Sequence, residues 1–205
     1  MTRILILDYG MGNIFSVQKK LKSLGINPVI SNSVEDILNA DKIILPGVGH
    51  FSKAMENLKK LNVINILNEK VLEKKTPVLG ICLGMQLMAL SSEEGESNGL
   101  GWFDATVKKF TVKDKLNFKV PQMGWNTISV NKKSDLMNNI PDKSEFYFIH
   151  SFYMKCNSEE DILNKTIYES EYVSAIQKDN IFGVQYHPEK SHEIGEKMFK
   201  NFIKI

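Results

Sequence analysis

Gly80-Ile81-Cys82-Leu83-Gly84 sets a cysteine between two glycines at a spacing suited to nucleophilic chemistry. The segment follows the apolar run Pro77–Cys82 and precedes the helix-like stretch Met85–Leu90. A nucleophile on a sharp strand-to-helix turn needs glycines two residues away on each side, because larger side chains would crowd the turn. The unpaired amides and dipole of the following helix favour the thiolate, which is the reactive form. Read alone, the same pentapeptide also fits a buried structural cysteine, since free cysteines are commonly buried.

A base for such a nucleophile lies far along the chain, in Gln185-Tyr186-His187-Pro188-Glu189. Pro188 biases His187 towards an extended backbone. Residues i and i+2 of an extended chain point the same way, so Glu189 can orient the His187 ring and stabilise its charged form. His187 would then serve Cys82 as acid and base. A strand-end histidine closed by a proline turn is the structural alternative. A metal site of His187, Glu189 and His192 lacks a supporting ligand constellation, and neither metal nor cofactor is expected.

Leu45-Pro46-Gly47-Val48-Gly49 follows another strand-like run. Glycines let backbone amides approach a ligand closely. An elbow nucleophile needs two oxyanion donors: the amide of the next residue, here Leu83, and one from a neighbouring strand-to-helix loop. Pro46–Gly49 is placed to be that loop, although Pro-Gly also marks an ordinary turn. Gly10-x-Gly12 lacks the third glycine of a dinucleotide fingerprint, because Phe15 stands there.

These residues need a scaffold. Over the first ninety residues, short apolar runs (Ile4–Leu7, Val29–Ile30, Lys42–Leu45, Pro77–Cys82) alternate with helical stretches. Val17, Leu21 and Leu24 mark one helix face, with Gly25 as its C-cap; further helices are expected over about Val34–Asn39, Phe51–Leu58 and Asn62–Lys74. The pattern predicts an α/β fold, an open and mostly parallel sheet flanked by helices in three flavodoxin-like layers. After Gly99, short segments (Ala105–Phe110, Phe118–Val120, Thr127–Val130, Phe146–Ile149) suggest added antiparallel strands, and Lys178-Asp179-Asn180 a hairpin turn between Tyr172–Gln177 and Ile181–Tyr186. Ser191 is a candidate N-cap for a last helix with Ile194, Met198, Phe202 and Ile205 on one face. The polar stretch Ser91–Gly99 is the candidate mobile loop.

With 205 residues and no linker, the expectation is one domain over residues 1–205. A net charge of +2 gives no reason to expect nucleic acid or a membrane surface as partner. The two cysteines form no disulfide framework, and Cys156 has no visible base. No run reaches the ~18 apolar residues of a membrane span, and the cytoplasm is the expected location.

Together, Cys82 in GICLGMQ, Pro46–Phe51 as PGVGHF and His187–Ser191 as HPEKS resemble the class I (triad) glutamine amidotransferases, most closely their HisH branch, the glutaminase subunits of imidazole glycerol phosphate synthase. Gly10-Met11-Gly12-Asn13, Pro121–Asn126 (PQMGWN) and Tyr147–Phe152 (YFIHSF) extend that likeness over nearly the whole chain. The resemblance implies L-glutamine as substrate, with Cys82 as nucleophile, His187 as acid/base and Glu189 as its orienting residue. It implies that Gly47, Val48, Gly49 and Leu83 hold substrate or oxyanion. Gln86 and His150, Ser151 and Phe152 would hold the amino-acid end. Asn13, Trp125 and Lys190 would face a synthase partner. Little sequence is left for an acceptor domain, so ammonia is expected to pass to another chain, a HisF-type (β/α)₈ cyclase in a heterodimer serving histidine biosynthesis.

Two departures bear on the pathway. His192 follows Lys190-Ser191, and Glu171-Tyr172-Val173 stands where Tyr-Gly-x is usual. Both occur in HisH-like paralogues that supply ammonia for amino or amidino sugars of surface polysaccharides. Two further function classes share the elbow. One is a γ-glutamyl hydrolase, against which the MGWN and HSF segments argue. The second is a non-catalytic binding protein, against which the intact Cys, His and Glu argue.

Overall fold

The computed structural model describes residues 2–205. Its centre is a parallel sheet of β1 (Ile4–Leu7), β2 (Val29–Ser31), β3 (Lys42–Leu45), β4 (Val78–Ile81) and a strand from near the end of the chain, Ile181–Val184, in the order 2-1-3-4-last. β1, β3, β4 and the last strand are buried along their whole length. That explains their continuous apolar character: both faces are covered by helices. The helices are α1 (Ile14–Ser23), α2 (Val34–Leu38), α3 (Phe51–Lys60), α4 (Ile64–Asn68), α5 (Leu83–Gln86) and α6 (His192–Lys204). Gly25, at φ +79°, ends α1 as expected: its amide bonds Lys22 O and the Ile26 amide bonds Leu21 O, the pairing of a Schellman cap. In α6, Met198, Phe199 and Phe202 are buried, each contributing about 1.5–3 kcal/mol; Ile194 and Ile205 flank them partly buried.

The sheet continues through β5 (Ala89–Ser92), β6 (Ser97–Asn98), β7 (Phe103–Lys109), β11 (Phe152–Cys156), β12 (Ile162–Tyr168) and β13 (Ser170–Lys178), which leads through a tight turn into β14 (Ile181–Val184). Within this extension only β5 and β7 run parallel. A short strand, β9 (Ser129–Val130), pairs with β12. β8 (Gln122–Thr127) and β10 (Glu145–His150) form a separate antiparallel ribbon.

Several sequence expectations give way to long-range pairing. The helix expected at Met85–Leu90 stops at Gln86, because backbone bonds from Leu100, Gly101 and Trp102 to Leu87, Ala89 and Met88 draw the chain into β5. Ser91–Gly99 is a paired hairpin, Ser91 opposite Asn98 and Ser92 opposite Ser97. Glu93 and Glu94 anchor it by accepting the Lys109 and Phe51 amides. Phe118–Val120 is not a strand: Asp114 caps a turn there by accepting the Leu116 and Asn117 amides. The helix expected over Asn62–Lys74 is α4 followed by a wider π turn, Glu69–Glu73. No helix among the described residues is long and apolar enough to cross a membrane.

Candidate active site

In an open parallel sheet the loops after the strand C-termini converge where the strand order reverses, here beside β1 and β3. The loops after β1, β3, β4 and β14 carry Asn13, Pro46–Gly49, Cys82 and His187 to that edge. Strand register does the rest. Ile81 pairs with Val184, and the Cys82 amide donates to Val184 O at 2.7 Å. The cysteine therefore leaves the sheet beside Gln185, with His187 two residues further on.

Cys82 takes φ +53° and ψ −109°, a conformation that costs a non-glycine residue of order 1–3 kcal/mol. The turn survives because its neighbours lack side chains. A Cβ on Gly80 would lie 2.7 Å from the Gly84 carbonyl, and one on Gly84 would run into the Leu45 backbone oxygen. Gly47 lies beneath the same turn, where a Cβ would come within 2.6 Å of Gly84 N. The following helix has one turn only, so its dipole is a weak influence on the sulfur, contrary to the sequence expectation. The charged neighbour is His187.

His187 Nδ1 is 2.7 Å from Glu189 Oε1, with both side chains buried. Burial works against the charge of the imidazole. The Cys82 sulfur, and behind it the Glu189 carboxylate, outweigh burial and push the His187 pKa up to about 10. Nε2 has no protein hydrogen bond and is the nitrogen free to exchange a proton. The turn is held by Ser191, whose fully buried hydroxyl donates to His187 O at 2.6 Å and accepts the Tyr147 amide at 3.0 Å. Ser191 stands at the N-cap position of α6 as expected, but its hydroxyl clamps His187 to β10 instead of bonding the helix amides.

A cavity of about 250 Å³ opens over the sulfur. Val48, Gly49, Leu83, Gln86, His150, Ser151 and Phe152 line it, together with Glu94, Pro121 and Ile149. Gly47 is brought to the elbow but does not line the cavity. The His150 ring turns inward: Nδ1 donates to Phe152 O at 2.8 Å, Nε2 is 3.3 Å from the Tyr172 hydroxyl, and burial pushes its pKa down to about 3. His150 is a neutral support for the Ser151–Phe152 backbone, not a charged ligand. Asn13 precedes α1 at the N-cap position without a side-chain cap bond. Trp125 is 45% exposed and stacks on His192, ring centroids 5.0 Å apart; Lys190 Nζ lies 5.4 Å from the Tyr147 ring centre. Among the described residues no three His, Cys, Asp or Glu side chains are grouped to hold a metal ion.

The family model for class-I glutamine amidotransferases matches residues 5–205. The chain belongs to that family. Among its relatives, imidazole glycerol phosphate synthase subunit HisH 2 of Methanococcus maripaludis is 51% identical over 98% of each chain. Subunit HisH 2 of Pseudomonas aeruginosa is 45% identical over 98% of this chain and 99% of its own, and subunit HisH of Leptospira interrogans 41% over 98% of each. The likeness in fold reaches further. PurLQS of Thermotoga maritima superposes with a TM-score of 0.74 at 17% identity, covering 99% of this chain and 98% of its own. The glutaminase domain of Trypanosoma brucei CTPS gives 0.66 at 18%, over 100% and 94%.

For an amidotransferase, Glu94 is the informative addition to the cavity. It is the one carboxylate in the described lining, and its Oε2 is fixed by the Phe51 amide at 2.8 Å. Its place in a polar stretch with the texture of a mobile loop hides it in the sequence. Nothing local separates it from Glu93 and Glu96 in the same stretch, so no sequence signal singles it out.

Proposed function

We propose that this amidotransferase hydrolyses L-glutamine to glutamate and ammonia with Cys82, His187 and Glu189, and hands the ammonia to a HisF-type cyclase in a heterodimer of histidine biosynthesis in the cytoplasm. The observation that carries the reading is the buried His187–Glu189 pair set against a cysteine held at positive φ on an elbow. The Cys82 thiolate attacks the side-chain amide carbon of glutamine. The oxyanion is held by the Leu83 amide, which has no partner within its helix, and by the Val48–Gly49 backbone. His187, charged, donates a proton to the leaving nitrogen; the C–N bond breaks and ammonia departs. A water then loses a proton to His187 and attacks the thioester, the C–S bond breaks, and thiolate and glutamate form. Glu94 suits the substrate ammonium, and the backbone of Ser151–Phe152 its carboxylate.

Phe15, two residues after Asn13, and Met123, two residues before Trp125 on β8, are 79% and 62% exposed, and we read them with Asn13 and Trp125 as residues a partner would cover. The Trp125–His192 stack favours a second reading, a HisH-like paralogue serving amino or amidino sugar synthesis, because His192 alters the face a synthase would meet. The reading of residues 1–205 as one glutaminase domain is part of the same proposal. Cys82→Ala assayed for glutamate release with a HisF-type cyclase tests the chemistry; retained release breaks it. Glutamine-dependent formation of imidazole glycerol phosphate by the same mixture separates the two pathways, and γ-glutamyl peptides offered in place of glutamine test the hydrolase reading.

A further inference from the structure

Gln185 adjoins the elbow but has no part in the glutaminase steps. It is fully buried, one residue past the register pair Ile81–Val184, and so lies directly beside Cys82. Its Nε2 is 3.5 Å from the Cys82 sulfur, and its Oε1 accepts from Gln86 Nε2 at 3.0 Å. The same Gln86 nitrogen donates to Phe152 O at 3.0 Å. These contacts fix the direction of both amides. A backbone carbonyl only accepts, so Gln86 must turn its NH₂ to Phe152. The remaining hydrogen of that NH₂ requires an acceptor, so Gln185 must offer its oxygen to Gln86. The Gln185 NH₂ is then forced towards the sulfur.

We propose that Gln185 is a further catalytic residue of this amidotransferase, donating a hydrogen bond to the Cys82 thiolate. The inference rests on the reading of Cys82 as the nucleophile. A donor favours the charged sulfur over the neutral one, because a hydrogen bond to an ion is the stronger. The bond weakens when the sulfur gives its electron pair to the substrate carbon. It re-forms when the C–S bond of the thioester breaks and the pair returns, so Gln185 assists the expulsion of the thiolate. The other titratable groups facing this sulfur are His187 with Glu189 behind it, and Tyr9 and Tyr172, whose phenol pKa values burial and the Cys82 charge push up. Gln185 is the one uncharged side-chain N–H donor to the sulfur among the described residues.

The test is the thiolate titration of Cys82, read by ultraviolet absorbance and by iodoacetamide alkylation in a Cys156→Ser background. Cys156 has its own thiol pushed up to about 12 by burial and by Asp161, Glu159 and Asp104. Gln185→Met keeps the length and removes the donor. Its midpoint should rise by about one pH unit, and alkylation at neutral pH should slow about 10-fold. Gln185→Glu keeps an acceptor for Gln86 but sets a carboxylate beside the sulfur, and should move the midpoint further the same way. Unchanged midpoints in folded variants overturn the proposal, as does a loss of thermal stability alone. Should both variants misfold, the ¹⁵N side-chain resonance of Gln185 in the otherwise unaltered protein must shift together with the thiolate titration; a resonance that stays still overturns it. Cys82→Ala with retained glutaminase activity would break the catalytic reading itself, a different failure from an unmoved midpoint.

Discussion

Glu189 Oε1 accepts a hydrogen bond from His187 Nδ1 at 2.7 Å, and both side chains are sealed from solvent. A buried carboxylate in this position fixes the tautomer that leaves Nε2 to the sulfur, and it compensates the imidazolium. Glu189→Gln keeps the shape and removes the charge. Its kcat/KM for glutamine should fall about 10²-fold, and the NMR titration midpoint of His187 should move down from about 10. A variant with unaltered kcat/KM would show that the carboxylate serves only the fold.

Two histidines give the stability opposite slopes with pH. His150 has its pKa pushed from 6.5 down to about 3, so between those values the unfolded chain binds the extra proton and stability falls as pH falls. His187 has its pKa raised from 6.5 to about 10, so its contribution is complete below 6.5 and is lost as pH rises through about 10. Each slope reaches at most about 1.4 kcal/mol per pH unit. Urea midpoints across pH should flatten on the acid side in His150→Gln and on the alkaline side in His187→Gln. The same slopes in both variants as in the parent protein would contradict this.

The sequence marks Gly84 as an elbow glycine and Gly25 as a helix C-cap, and only Gly25 has room for a side chain. Gly84→Ala drives a Cβ from α5 into the Leu45 carbonyl at the end of β3, a backbone atom with no flexible side chain to move aside. The expected loss is about 3 kcal/mol or more. Gly25→Ala meets nothing within 4 Å and carries only the strain of φ +79°, about 1 kcal/mol. Chemical denaturation of the two variants should rank them in that order.

Glu94→Gln tests the charge of the cavity. If Glu94 faces the substrate ammonium, KM for glutamine rises about 10-fold or more while kcat changes less, since a hydrogen bond to an ion is worth about 1.5–3 kcal/mol. The hairpin should persist, because glutamine still presents an oxygen to the Phe51 amide. Equal falls in kcat and kcat/KM would place Glu94 in the chemical step instead.

The sequence by itself determined the parallel core, the cysteine elbow, the His-Pro-Glu unit and the glycine loop. These are local: continuous apolar runs make strands buried on both faces, and glycine and proline constrain the backbone wherever they fall. Tertiary structure decided what depends on register. Gln185 and Glu94 reach the site only because β14 pairs with β4 and because the Ser91–Gly99 hairpin docks its carboxylate on the start of α3. It also decided that Ser191 clamps His187 and that His150 faces the core. A hydroxyl or an imidazole takes the partner that burial leaves it, and those partners, the Tyr147 amide and the Tyr172 hydroxyl, come from strands 44 and 22 residues away.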